Sequence, residues 1–293
     1  MIFGHQIQQK KLQNDITQNN ISHAYLFTGL GGIGKFTVAK NFARQINGID
    51  GQANLTIYSD IVICDDLGES LKIEMIRNLC VSTNLSKDLK YKIVLIKNIE
   101  RMTLEAANAF LKTLEEPNSQ VVFLLTTSNS SKILETIISR VRVLQFQPLN
   151  QSELCNFADS VTTVGDKNKL DQYIFWSAGR PAKLYKLIFD SEYSDFYEEM
   201  VKVLEQFFKN LEFNKLWPYF EQLAENKQNV MDFLELWELL NYKKVNKEQL
   251  DLAQFNYLII EAKDRIQGNI NTRLVLENLS MEWKKLSRSV RIK

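Results

Sequence analysis

The chain predicts a parallel sheet flanked by helices, followed by a small helical part and then an all-α part. Three observations carry that expectation. From residue 1 to about 147, short β-branched or aromatic runs alternate with stretches of helical period, the layout of strands joined by crossover helices. Pro148, in Gln147-Pro148-Leu149-Asn150, stops the last of these runs, and helical periodicity dominates everything after it. At 293 residues, 45% of them hydrophobic, the chain is too long for one small core and apolar enough to fill more than one.

The strands are expected at Ala24 to Thr28, Ile61 to Cys64, Lys92 to Ile96, Val121 to Thr126 and Val141 to Phe146. Each is short and followed by turn residues or a helical pattern. The predicted parts are 1–147, the α/β part; 148–188, a compact helical part with an apolar stripe of Leu184, Leu187 and Ile188; and 189–293, a bundle of long amphipathic segments such as Phe196 to Leu211 and Val230 to Leu240. Within the last part Phe207, Phe208, Trp217, Phe220, Phe233 and Trp237 recur at near-helical intervals, the pattern of a packed core and of a face that meets other chains.

Charge and cysteine content exclude several classes. Lys+Arg 36 against Asp+Glu 35 leaves a net charge of +1, so no global field marks a nucleic-acid coat or a standalone DNA-binding protein. Three distant cysteines, Cys64, Cys80 and Cys155, and only two histidines, His5 and His23, argue against a disulfide scaffold or a metal centre. No Ser/His/Asp or Cys/His set can be assembled around two imidazoles, and both are expected to be structural. The segment MIFGHQIQQKK lacks the apolar stretch and cleavage site of a signal peptide, and no apolar run is long enough for a bilayer; the expected location is the cytoplasm, with no membrane contact.

After the first strand comes Gly29-Leu30-Gly31-Gly32-Ile33-Gly34-Lys35-Phe36-Thr37, with the Gly-x4-Gly-Lys spacing of a Walker A loop. Glycines let backbone N–H groups curl around phosphate oxygens at a helix N-terminus, and the lysine reaches the terminal phosphates. Gly29, Gly32, Gly34, Lys35 and Thr37 are the residues placed to touch a nucleotide. The position after Lys35, where a hydroxyl normally ligates magnesium, holds Phe36. Thr37 comes one residue late, about 100° round the helix, and is not expected to replace that hydroxyl. The strand Lys92 to Ile96 then runs into Lys97-Asn98 where two acids should hold magnesium, and Glu100 is expected to support the following turn. The expectation is no metal, no required cofactor, ATP at most weakly held on a degenerate loop, and no independent hydrolysis.

The stretch from Met102 through Ala106-Ala107-Asn108-Ala109-Phe110-Leu111-Lys112-Thr113-Leu114-Glu115-Glu116-Pro117, followed by Ser139-Arg140, resembles the bacterial clamp-loader AAA+ subunits of DNA polymerase III, closest to the delta-prime type. Ile2-Phe3-Gly4-His5, His23 to Gly29, Ile73 to Arg77 and Asn271 to Glu277 extend the resemblance over the chain. It implies an AAA+ P-loop module, a small lid and a C-terminal collar that joins related subunits. It also implies ATP-driven loading of a sliding clamp onto primed DNA, with motor-type gamma/tau and delta subunits as partners. In that family a Ser-Arg pair, here Ser139 and Arg140, supplies an arginine in trans to a neighbour's ATP. Val141 stands where a cysteine usually follows, and the four-cysteine zinc module of the active ATPases cannot form here. The resemblance thus implies a stator of the polymerase holoenzyme. The competing expectation is an autonomous or motor-type P-loop ATPase with an unusual magnesium site. Two further segments carry both a structural and a family reading. Thr126-Thr127-Ser128-Asn129 is expected to serve as a turn. Arg180, near the family's nucleotide-sensing lid segment, is expected simply to start a helix.

Overall fold

The computed structural model describes residues 2–65, 70–76, 88–116, 120–162, 166–210, 213–245, 252–268 and 270–291. Cys80, Arg77, Pro117, Leu211 and Lys293 lie outside the described residues. The chain divides into two compact units, Met1–Tyr185 and Lys186–Lys293. The first includes the predicted α/β part and nearly all of 148–188.

In the first unit, helix α1 (Gln6–Thr17) precedes strand β1 (Ala24–Thr28), which feeds helix α2 (Lys35–Asn47). Strands β2 (Ile61–Cys64) and β3 (Lys92–Ile96) follow, then helix α3 (Leu104–Glu115), strand β4 (Val121–Thr127), the short helix α4 (Glu135–Ile138) and strand β5 (Arg142–Gln145). All pairings are parallel, in the order β2-β3-β4-β1-β5. The central strands β1, β3 and β4 are buried throughout, which explains why they read as continuous apolar runs and not as alternating ones.

Because side chains alternate, the sheet feeds two cores. Tyr25, Phe27, Ile93, Leu95, Val122 and Leu124 pack with Val38, Phe42 and Ile46 of α2 on one face. Leu26, Val94, Ile96, Phe123 and Leu125 pack with Ala106, Phe110 and Leu114 of α3 on the other. Each large side chain buried here contributes about 1.5–3 kcal/mol, so α2 and α3 are rigidly seated. Helix α3 is started by Thr103, whose Oγ1 accepts the Ala106 N–H at 3.2 Å. Strand β5 is shorter than the run Val141 to Phe146, because the Val141 N–H turns back toward the Ile138 carbonyl.

Pro148 ends the sheet, and Asn150 opens helix α5 (Gln151–Val161) through a capping box with Glu153. Helices α6 (Lys167–Ser177) and α7 (Pro181–Phe189) follow. Between them Gly179 adopts φ +80°, and its carbonyl accepts the Leu149 N–H at 2.9 Å. The helical part is thus tied back to its own entry point.

The second unit contains α8 (Ser191–Asn210), α9 (Phe213–Leu223), α10 (Lys227–Val245), α11 (Leu252–Gln267) and α12 (Thr272–Arg291). Phe207, Phe208, Phe220, Phe233 and Trp237 form its core, with the Trp283 ring tilted against Phe207 at 4.9 Å between ring centroids. Trp217, expected among them, is 39% exposed. Its neighbours Leu216 and Phe220 take the inward positions of α9.

A Cβ at position 179 would lie 2.4 Å from the Pro148 Cβ and 2.9 Å from the Leu149 carbonyl oxygen, in a backbone conformation that side chains already disfavour. Gly179→Ala is therefore expected to destabilise the chain by about 2–4 kcal/mol. Urea unfolding reads this directly; an unchanged midpoint would show that the joint at Pro148 is not tightly packed.

Candidate functional site

Parallel pairing places the carboxyl ends of the strands along one edge of the sheet, the edge at which open α/β sheets hold ligands. Gly29 follows β1, Asp65 follows β2, Lys97 follows β3 and Ser128 follows β4, so four distant segments converge there.

The loop Gly29–Gly34 runs from β1 into α2, with φ of 140°, 77° and 102° at Gly29, Gly32 and Gly34. It is held from three directions. The buried His5 ring bonds through Nε2 to the Ile33 carbonyl at 2.7 Å; since a carbonyl only accepts, this nitrogen carries the proton. The Ala182 N–H, in the first turn of α7, donates to the Gly32 carbonyl at 3.1 Å. Lys35 Nζ donates to the carbonyls of Gly29 at 2.7 Å and Leu30 at 2.6 Å. The lysine that should reach a phosphate is therefore satisfied within its own loop.

Burial pushes the Lys35 pKa down to about 8; the nearby Glu100 carboxylate opposes this shift and the Arg180 guanidinium reinforces it. Arg180 also starts α7, its carbonyl accepting the Leu184 N–H at 3.0 Å, as a helix-start residue does.

The metal half of the site carries different chemistry. The Phe36 ring packs against the apolar cluster of α2, with the ammonium of Lys40 4.7 Å and that of Lys97 5.9 Å from its centroid. Lys97 in turn makes an ion pair with Asp65, Nζ lying 2.8 and 3.0 Å from the two carboxylate oxygens. An aromatic ring, an ammonium and a carboxylate already engaged by that ammonium do not make a magnesium site. Among the described residues, no group of three or more metal-binding side chains occurs. Thr37 is exposed on α2.

Glu100 braces the edge. Its Oε1 accepts the Ser128 N–H at 3.0 Å and the Ser128 hydroxyl at 2.5 Å. Burial would raise its pKa, but these hydrogen bonds outweigh it and hold the carboxyl below its usual value. Asn98 takes φ 54° as its N–H reaches Thr126 Oγ1 at 3.3 Å, and the Asn129 side chain accepts the Ser131 N–H at 3.1 Å, forming the turn after β4. The clamp at His5 and the pairing of Asp65 with Lys97 are the site features that sequence reasoning missed.

Ser139 and Arg140 lie elsewhere. They precede β5, at the amino edge of the sheet, so the strand's length of about 13 Å separates them from the P-loop edge. Arg140 Nη1 donates to the Thr136 carbonyl at 2.9 Å and to Ser139 Oγ at 3.2 Å, while Nη2 forms an ion pair with Glu115 at 2.9 Å.

The buried ammonium of Lys35 gives the loop a pH signature. Below pH 8 the folded and unfolded chains both carry this proton, and the burial penalty is present in full. Between pH 8 and the ordinary lysine value of 10.5 the unfolded chain binds more protons, so stability rises with pH across that window. The stability of the natural chain relative to Lys35→Met should accordingly rise over this range in urea titrations; a flat or falling difference would contradict the burial of the charge.

A family profile described as DNA polymerase III, delta subunit, matches residues 4–150. The DNA polymerase III subunit delta' of Bacillus subtilis is 24% identical, over 92% of this chain and 93% of its own length. Subunit tau of the same organism is 32% identical over 52% of this chain, a match that spans 30% of tau. A solved gamma subunit-related protein of Thermotoga maritima shares the fold, with a TM-score of 0.57 at 20% identity over 95% of this chain and 99% of that one. Loop, sheet order and sequence agree: the chain belongs to the DNA polymerase III delta subunit family, among the AAA+ clamp-loader subunits.

Proposed function

We propose that this clamp-loader subunit is a delta-prime-like stator, which delivers Arg140 to the ATP of a neighbouring motor subunit and performs no hydrolysis at its own loop. The observation that carries this reading is the placement of Arg140. It stands at the amino edge of the sheet, across β5 from the chain's own P-loop, a placement that supports a role at a site on another chain. A guanidinium brought to a γ-phosphate stabilises the charge of phosphoryl transfer and contributes about 10³–10⁵ in rate. Among the described residues of the chain's own edge, Lys97 and Phe36 stand at the positions where groups that place magnesium are expected. The Lys97–Asp65 pair weighs against an autonomous or motor-type ATPase.

On this reading the partners are motor-type gamma/tau and delta subunits, the assembly acts on a sliding clamp and primed DNA in the cytoplasm, and nucleotide at Gly29, Gly32, Gly34 and Lys35 is weakly held. Residues 1–147, 148–188 and 189–293 then serve as AAA+ module, lid and collar. Exposed apolar side chains on α11 and α12, Tyr257, Ile260, Leu274 and Met281, support an association role for the last. Among the described residues no helix is long and apolar enough to cross a membrane.

Arg140→Ala tests the reading in a reconstituted loader, with clamp- and DNA-stimulated ATP turnover as the measurement. Assembly should be retained and turnover should fall partially, because the other interfaces keep their own arginines. Unchanged turnover and clamp loading in a correctly assembled complex would reduce Arg140 to a surface residue.

A further inference from the structure

An arginine that acts on another chain must be presented in one orientation before the neighbour arrives, and an exposed arginine normally samples many rotamers. Arg140 is held by groups from two separately anchored elements. Thr136 and Ser139, which fix Nη1, belong to α4 and its end, rooted by the buried Ile137. Glu115, which faces Nη2 at 2.9 Å, is the last residue of α3, rooted by the buried Phe110 and Leu114. A carboxylate at a helix C-terminus faces the negative end of the helix dipole and is unfavourable there unless a cation accompanies it. Glu115 and Arg140 thus each supply what the other's position needs.

We infer that Glu115 is a positioning residue for Arg140: its charge on rigid α3 holds the guanidinium in the orientation it presents to the neighbouring subunit. This rests on the reading of Arg140 given above. Both side chains are partly exposed, 52% for Glu115 and 35% for Arg140, so the hold is of the modest, salt-sensitive kind that exposed ion pairs provide. Because the contact is an ion pair, charge and not shape is the property that matters, and glutamine cannot replace glutamate.

Two measurements test it. The first is independent of turnover: ¹⁵N relaxation of the Arg140 Nε–H in the full isolated chain. The group should be ordered in the natural protein and fall below about 0.6 in order parameter in Glu115→Gln; an unchanged order parameter overturns the inference. The second is a double-mutant cycle in the reconstituted loader. Glu115→Ala and Glu115→Gln should each lower stimulated turnover by at most about two- to fivefold, the range of an exposed ion pair, and neither should lower it further once Arg140→Ala is present. If Arg140→Ala lowers turnover while both Glu115 variants match the natural loader, or if their losses add in full to that of Arg140→Ala, Glu115 does not act through Arg140. If Arg140→Ala itself changes nothing in an assembled loader, the underlying reading of Arg140 fails, and the inference with it.

Discussion

The loop between β1 and α2 is fixed by contacts on three sides. His5 holds the Ile33 carbonyl, Ala182 holds the Gly32 carbonyl, and the ammonium of Lys35 closes the loop on Gly29 and Leu30. The His5–Ile33 bond is buried, and a buried carbonyl left without a partner would cost about 1–3 kcal/mol, so this bond matters most to the first unit. Through them the loop ties together the segment before α1, the carboxyl edge of the sheet and the start of α7. A segment of the kind that elsewhere cradles phosphate here joins three parts of the fold.

The rest of that edge is arranged accordingly. Where a magnesium-dependent site needs a hydroxyl and acids, this chain has the Phe36 ring, the Lys97–Asp65 pair, and Glu100 engaged with Ser128. These groups satisfy one another's charge and hydrogen-bonding needs, and they leave the edge braced. The opposite edge carries Arg140, seated on α3 and α4. In this account the first unit carries the arginine, and its sheet keeps the arginine apart from the chain's own P-loop.

Much of the fold was legible in the sequence because the signals are local. Short β-branched runs marked all five strands; the differences, Thr127 added to β4 and Val141 and Phe146 left out of β5, are end effects, with Val141 turned back toward Ile138 and Phe146 still bonded to Thr28. Pro148 marked the end of the sheet, while the capping box that Asn150 makes at the start of α5 was found only in the structure. At the site, Phe36, Lys97 and Asn98 could be read directly at the expected magnesium-handling positions. Their surroundings could not: Asp65 and Lys97 are 32 residues apart, and His5 and Ile33 are 28 apart, pairings that only the tertiary fold creates. The same holds for Glu115 and Arg140, which no spacing rule brings together. Trp217 shows the converse limit, since helical period marks an aromatic stripe but does not say which member faces out.

The central claim is that fixed side chains have taken the place of the metal half of the nucleotide site. Calorimetric titration of the full chain with ATP, in the presence of magnesium and again in the presence of a chelator, tests it most directly. The account predicts an affinity that is weak and the same in both conditions. Tight binding that requires magnesium would contradict it, because the Phe36 ring and the Lys97–Asp65 pair would then have to yield to a metal ion.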